Sequence, residues 1–419
     1  MPSADPAVPG AQDTTASIVV RNLTLLVLSF MMSAVVNIVP QLFFARVVPD
    51  SKAWWLSVCL LAGTVMSWAG VRLSKPSLWW SRRASPAAHT AVVAGGLLLT
   101  GVAFGASFLV SGIVMFIALN LAIRFGANYA MNHLDRVSVE VAGVAKRGLN
   151  DQVSTGYRLL GMLLAPVWFG FLFDAKVATT VLVVVLTLVL VGAALPLTTK
   201  QVPPPVGPKP THRSGTLDPV DRYVLIYANL VFAALYVFAA NVVYILADYL
   251  QTPDPEAWAG ILILTVFAAA VLAVFCRPML FGAVFPNAGP SPLIPRLRLL
   301  IPGLLIVGAV VVYLNKLSTG FVGILTAGTV VGLGYGSFQL DIREYLTRAR
   351  EDRGKTGFVT HYNNLANTSA LLAFGIMLVL STLTERMDMD MNRWALWAVL
   401  LISVGTVPMV FLAHASQDR

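Results

Sequence analysis

Twelve stretches of about twenty mostly apolar residues, divided by short polar segments, run through this 419-residue chain and leave few folds open to it. At a rise of about 1.5 Å per residue, a helix of that length crosses the roughly 30 Å hydrocarbon core of a bilayer. Lipid offers no hydrogen bonds, so each spanning segment must pair its own backbone groups, as a helix does. The chain therefore reads as an all-α integral membrane protein. A content of 57% hydrophobic and only 12% charged residues supports the bilayer as its solvent.

The first six spans are read as Asn22 to Phe44, Trp54 to Leu73, Thr90 to Ser107, Ser111 to His133, Val153 to Phe173 and Val177 to Thr199. The third and fourth come from one apolar run, Ala91 to Asn132, about twice a span in length, which must fold back on itself. Gly105, Ser107, Ser111 and Gly112 are the turn residues available there. The second six are Tyr223 to Ala247, Trp258 to Cys276, Leu299 to Leu314, Gly320 to Leu340, Phe358 to Leu383 and Trp394 to Ala413. Between the sets lies KQVPPPVGPKPTHRSGTLDPVDR, too rich in proline and polar residues to span. The expected organisation is a polar N-terminal segment (1–20), a six-helix domain (21–199), a cytoplasmic linker (200–222), a second six-helix domain (223–414) and a short tail (415–419).

The formal net charge of +9 raises the question of nucleic acid, but the basic residues cluster in the loops between spans rather than along one face. With both termini inside, the cytoplasmic segments hold twenty-one Lys and Arg, and the opposite side holds Arg46, Lys52, Lys176, Lys316, Arg386 and Arg393. That asymmetry predicts cytoplasmic termini in a cell membrane, of the bacterial cytoplasmic (inner membrane) type, with lipid and no nucleic acid as partner. Cys59 and Cys276 lie within or at the edge of apolar segments, without metal-ligand spacing, and no cofactor is expected. The run MDMDMN, Met387 to Asn392, falls in an outer loop and reads as a solvated turn rather than a metal site.

Spans four and ten are followed by related segments. A shift of 206 residues places Asp135 on Asp341, Arg147 on Arg353 and Gly148 on Gly354, so each half carries an Asp and then an Arg-Gly pair just before its fifth span. Two pseudo-symmetric bundles of six, related as parallel repeats, are typical of one transporter architecture. In topology, duplication and these Arg-Gly pairs the chain resembles the major facilitator superfamily, over all twelve spans. The fifth span, GYRLLGMLLAPVWFGFLFD, is similar to that family's antiporter motif through Gly161, Pro166 and Gly170, with Ala165 where the motif has glycine. Between spans two and three the family carries an Asp followed by basic residues, whereas GVRLSKPSLWWSRR holds no acid. Only Gly70, Arg82 and Arg83 echo the pattern, leaving Asp135 and Asp341 as the acids available for a comparable latch.

An ionisable group in mid-membrane is costly, about 2.5 to 3.5 kcal/mol for arginine on insertion scales, and Arg124 occupies the middle of span four. Asn120, Arg124, Asn128 and Asn132 recur every four residues and form one polar stripe. Facing a cavity, Arg124 would grip a carboxylate or phosphate bidentately; facing a neighbouring helix, it would pair with carbonyls or an acid. Arg158 either snorkels to the cytoplasmic surface or extends the same positive region. Further stripes are Ser29, Ser33, Asn37 and Gln41 on span one, with Pro40 positioned to bend its outer end, and Asn241, Tyr244 and Asp248 on span seven. Span ten brings Tyr335 and Gln339, and span eleven His361, Asn364 and Thr368. No Asp or Glu falls at the middle of a span. Asp248 and His361 are the candidate proton relays, and Asp135, Asp341, Arg147 and Arg353 the candidate gating charges.

The expected function is secondary transport of a small organic anion or zwitterion by alternating access, possible proton coupling included. The alternative is a proton-coupled exporter of hydrophobic drugs. A membrane-embedded transferase would need clustered acids or a His beside an Asp at a membrane face, and none is seen, so an enzyme is not expected. A receptor that keeps the fold without transport is the remaining class.

Overall fold

The computed structural model describes residues 15–48, 54–84, 86–141, 143–172, 186, 219–244, 246, 255–284, 321–353 and 358–387. The expected spans at 177–199 (but for Leu186), 299–314 and 394–413 lie outside these residues, as does the linker up to residue 218. The described chain is helical throughout: α1 (Thr15–Ser33), α2 (Trp54–Ala84), α3 (Pro86–Ser107), α4 (Ile113–Val141), α5 (Gly143–Leu172), α6 (Pro219–Tyr244), α7 (Pro255–Val284), α8 (Phe321–Arg353) and α9 (Phe358–Met387). These correspond to spans one to five, seven, eight, ten and eleven. Among the described residues, five stretches are long and apolar enough to cross a membrane: Ile18–Leu42, Trp54–Ser74, Ile113–Asp135, Ala257–Cys276 and Asn364–Leu383. The chain is thus a multi-pass membrane protein.

The long apolar run folds back as the sequence requires. α3 ends at Ser107, whose hydroxyl donates to the Phe104 carbonyl at 2.7 Å, and α4 opens after Gly112, whose carbonyl accepts from Phe116 N–H at 3.0 Å. Helices overrun the apolar limits on their polar sides: α2 continues from Leu73 to Ala84, α4 from His133 to Val141 and α8 from Leu340 to Arg353. Outside the lipid, water and internal hydrogen bonds serve a polar helix equally well, so hydropathy does not mark its end. Asp135 and Asp341 accordingly lie on helices, both buried, rather than in loops, and Arg147 and Gly148 lie inside α5. α6 likewise begins at Pro219, within the stretch read as linker.

α1 does not end at Ser33. It runs on through a π-helical segment, Ala34–Ile38, an α-helical turn, Val39–Leu42, and a second π segment, Phe43–Val47. Pro40 stands in that central turn, where the missing N–H and the ring disrupt the regular ladder.

Close backbone approaches tie the helices within each half. A Cβ on Gly161 would stand 2.1 Å from the Leu26 carbonyl oxygen, so α5 lies directly on α1. Added at Gly332 or Gly336 it would stand 2.1 Å from the Val266 or 2.2 Å from the Ala270 carbonyl, which brings α8 onto α7. The halves meet along α5 with α7 and α2 with α9. Gln152 Nε2 donates to the Val274 carbonyl at 3.0 Å, and Arg343 Nη1 to the hydroxyls of Ser154 (3.3 Å) and Thr155 (3.4 Å). At the opposite end, Gln41 Nε2 reaches the Ala239 carbonyl of α6 at 3.5 Å.

Candidate substrate site

The four-residue stripe of α4 is one helical face, and the structure buries all of it: Asn120, Arg124 and Asn132 are at most 1% exposed and Asn128 is 8%. The face packs on α1 and α2. Arg124 Nη1 donates to the Leu60 carbonyl (3.2 Å) and the Thr64 hydroxyl (3.1 Å), and Nη2 to the Val35 carbonyl (3.1 Å). The side chain reaches them by crossing Gly63, where an added Cβ would lie 2.5 Å from Cδ and 2.6 Å from Nε.

Val35 offers its carbonyl because the local helix cannot use it. In a π segment its donor would be the N–H of residue 40, a proline, and the α-helical donor, Val39 N–H, goes to Ala34 instead. The vacancy is filled from α4, by Arg124 Nη2 and by Asn120 Nδ2 at 3.3 Å. One proline on α1 thus creates an acceptor that two residues one turn apart on α4 satisfy.

Among the described residues, Arg124 has no carboxylate partner. Its Nε, together with Asn120 Oδ1 and Gln41 Oε1, is buried without a hydrogen bond. Asn128 Nδ2 turns back to the Arg124 carbonyl at 2.9 Å, and Asn132 Nδ2 donates to Ser74 Oγ. On α1 and its extension, Ser33 donates to the Met162 carbonyl (3.2 Å), Asn37 to Ser33 Oγ (3.3 Å) and Gln41 to the Asn37 carbonyl (2.6 Å).

Arg158 forms an ion pair with Asp135, tying α5 to the C-terminal part of α4, with the arginine 12% and the aspartate 3% exposed. In the second half, Gln339 Nε2 donates to the Tyr335 hydroxyl, which itself donates to Met162 Sδ on α5 at 4.0 Å, across the interface between halves. Phe232 and Phe267 meet the Tyr335 ring edge-on at 6.0 and 6.1 Å. Asn364 is half-buried, with its Oδ1 unbonded. Asn241 and Tyr244 lie on α6, Arg147 on α5, Arg353 at the end of α8 and His361 on α9, with side chains outside the described residues; Asp248 lies wholly outside them.

Gly63, Thr64, Met162 and Arg343 complete this network and carry weak sequence signals. The Gly-Thr pair inside the apolar LLAGTVM is the clearest, a small residue beside a hydroxyl in mid-span.

No protein-family model matches the chain, and no curated protein matches its sequence. Its fold does match solved structures. A bacterial homolog of the human lysosomal transporter Spinster, solved inward-facing and occupied, has a TM-score of 0.64 and 13% identity, over 97% of this chain and 99% of that one. A D-xylose-proton symporter has a TM-score of 0.64 and 13% identity, over 94% and 96%. The nucleoside transporter NupG, as a point mutant, has a TM-score of 0.65 and 11% identity, over 96% and 99%. Likeness over nearly the full length of transporters with unrelated cargoes, at so low an identity, speaks for architecture alone: the chain has the fold of the major facilitator superfamily.

Proposed function

We propose that the protein is a secondary active transporter that carries a small organic anion or zwitterion across the membrane by alternating access. The observation that supports it most is Arg124, a fully buried cation at mid-span whose described partners are all neutral. Carbonyls and a hydroxyl offset part of the cost of placing that charge in lipid, yet no carboxylate among the described residues compensates the charge itself. A substrate carboxylate supplies the missing charge and takes over the fork of donors that Val35 now holds. The solved neighbours are transporters of small molecules, one of them coupled to protons, which favours transport over enzymatic or receptor roles.

In this reading the N-terminal domain (21–199) and C-terminal domain (223–414) rock about the midplane, with both termini in the cytoplasm. Asn120, Asn128, Asn37 and Gln41 shape the site beside Arg124, and Tyr335, Gln339 and Asn364 face them from the second half. Asp135, paired with Arg158, and Asp341 serve with Arg147 and Arg353 as gating charges on the cytoplasmic side, where the burial of the two acids makes their state matter to the seam.

The test is a thermal-shift screen of the purified protein against organic anions, zwitterions and cationic drugs, repeated with Arg124→Ala. Stabilisation by anions that disappears in the variant is the expected result, followed by uptake of the same anion into vesicles. Stabilisation by cations alone, indifferent to Arg124, refutes the anion reading and favours the drug exporter.

A further inference from the structure

α2 has two unlike faces at its C-terminal end. One is built onto α4: a Cβ on Gly70 would stand 2.5 Å from the Phe125 carbonyl oxygen, Ser74 Oγ accepts from Asn132 Nδ2, and Val71 is fully buried. The other stays open. Val65 is 48%, Trp68 38% and Leu73 54% exposed, and Arg72 is exposed among them. On a helix that crosses a bilayer, an open apolar face meets lipid, so Arg72 stands where the hydrocarbon does.

Its depth is set by the last turn of the apolar stretch Trp54–Ser74, where hydrocarbon gives way to headgroups. The guanidinium lies over the Trp68 ring, Cζ 4.9 Å from the centroid. Indole favours this depth, and a guanidinium stacked on it keeps its fork of N–H donors free for an anion. No acid of the protein takes that fork: α2 holds no Asp or Glu over Trp54–Ala84, and Arg72 has no carboxylate partner among the described residues. Beyond it, helical spacing puts positions 79 and 83, a tryptophan and an arginine, on the same face, with side chains outside the described residues. Between them Pro76 lacks the N–H that would bond the Arg72 carbonyl, which lets the helix bend toward the membrane surface. Orientation by charge alone needs only a count of Lys and Arg in the loop. A guanidinium stacked on an indole at the lipid edge of the span is a placed one.

We propose that Trp68 and Arg72 form a site for an anionic phospholipid of the surrounding membrane, at the polar end of α2. Arg72 donates its fork to two oxygens of the phosphodiester, and Trp68 with Val65 lies along the glycerol and the first methylenes of the acyl chains. A headgroup with net negative charge, such as phosphatidylglycerol, fits. Phosphatidylcholine carries the same phosphodiester beside a quaternary ammonium that Arg72 repels. In the loop where the family carries an acid ahead of its basic residues, this chain has none, and the lipid supplies the negative charge there.

The experiment titrates the full chain, in a neutral detergent, with phosphatidylglycerol, with phosphatidylcholine of the same chain length and with inorganic phosphate, and follows thermal unfolding. Phosphatidylglycerol should raise the midpoint by at least about 3 °C, and the other two by less than about a third of that. Arg72→Gln should remove most of the rise and Trp68→Leu part of it, whereas Lys209→Gln, which takes one charge from the linker, should leave it intact. Native mass spectrometry should show phosphatidylglycerol retained on the unmodified chain and lost from Arg72→Gln. An equal rise with phosphatidylcholine overturns the proposal, as does an equal rise with phosphate, which would make the ligand a free anion. A phosphatidylglycerol effect that survives Arg72→Gln, or that falls as far in Lys209→Gln, belongs to diffuse charge and also overturns it. Each rise is measured from the variant's own midpoint, and the order of the three probes is read on the unmodified protein, so the result does not depend on a variant folding as well as the native chain.

Discussion

Gly63 holds the position of Arg124. A methyl group there would stand 2.5 to 2.9 Å from Cδ, Nε and Cζ, and the guanidinium cannot yield without losing Leu60, Thr64 or Val35. Gly63→Ala is expected to destabilise the protein by about 1–3 kcal/mol and to abolish anion-dependent stabilisation. In a thermal double-mutant cycle, Gly63→Ala with Arg124→Gln should cost much less than the sum of the two, since removing the long side chain relieves the clash. Related chains should show the same exclusion, with a larger side chain at 63 never beside a long one at 124. The stripe on α4 was legible from its four-residue period and the mid-span charge from hydropathy alone. Their partners were not, because two of the three acceptors of Arg124 are backbone carbonyls, which every residue possesses. The Arg158–Asp135 pair joins residues that the sequence marks separately, and only the packing of α5 on α4 brings them together.

Among elements, the extension of α1 shows how one imino acid reaches a neighbouring helix. Pro40→Ala returns a donor to the Val35 carbonyl, so the contribution of Asn120 should shrink. Asn120→Ala is expected to cost about 1 kcal/mol in the native background and close to none in Pro40→Ala, read from thermal unfolding in detergent. The α7–α8 pair offers a second contrast. Gly332→Ala drives a methyl into the Val266 carbonyl and should cost at least about 2 kcal/mol, visible as loss of a monodisperse peak on size-exclusion chromatography. Gly375→Ala meets nothing within 4 Å and should be neutral or stabilising by up to about 1 kcal/mol. Among the described residues, helix order was readable from hydropathy, and the fold-back between α3 and α4 was anticipated because one apolar run was too long for one span. Helix ends on the polar side were not, since α2, α4 and α8 continue into water where composition no longer discriminates.

For the whole molecule, alternating access requires the seam of α5 with α7 to part once per cycle. With Cys59 and Cys276 replaced by serine, Gln152→Cys and Val274→Cys should be joined by a short cleavable crosslinker, since Gln152 and Val274 are hydrogen-bonded at 3.0 Å. Uptake into vesicles should stop on crosslinking and return on cleavage. Opening that seam also exposes what it hides: the Arg343 guanidinium, the hydroxyls of Ser154 and Thr155 and the Val274 carbonyl each exchange a protein partner for solvent. The proposed transport cycle would thus take up and release water along with its cargo. Sucrose and similar solutes, being excluded from protein surface, favour the shut seam, so turnover in the proposed transport cycle should respond to the water activity on the side to which the seam opens.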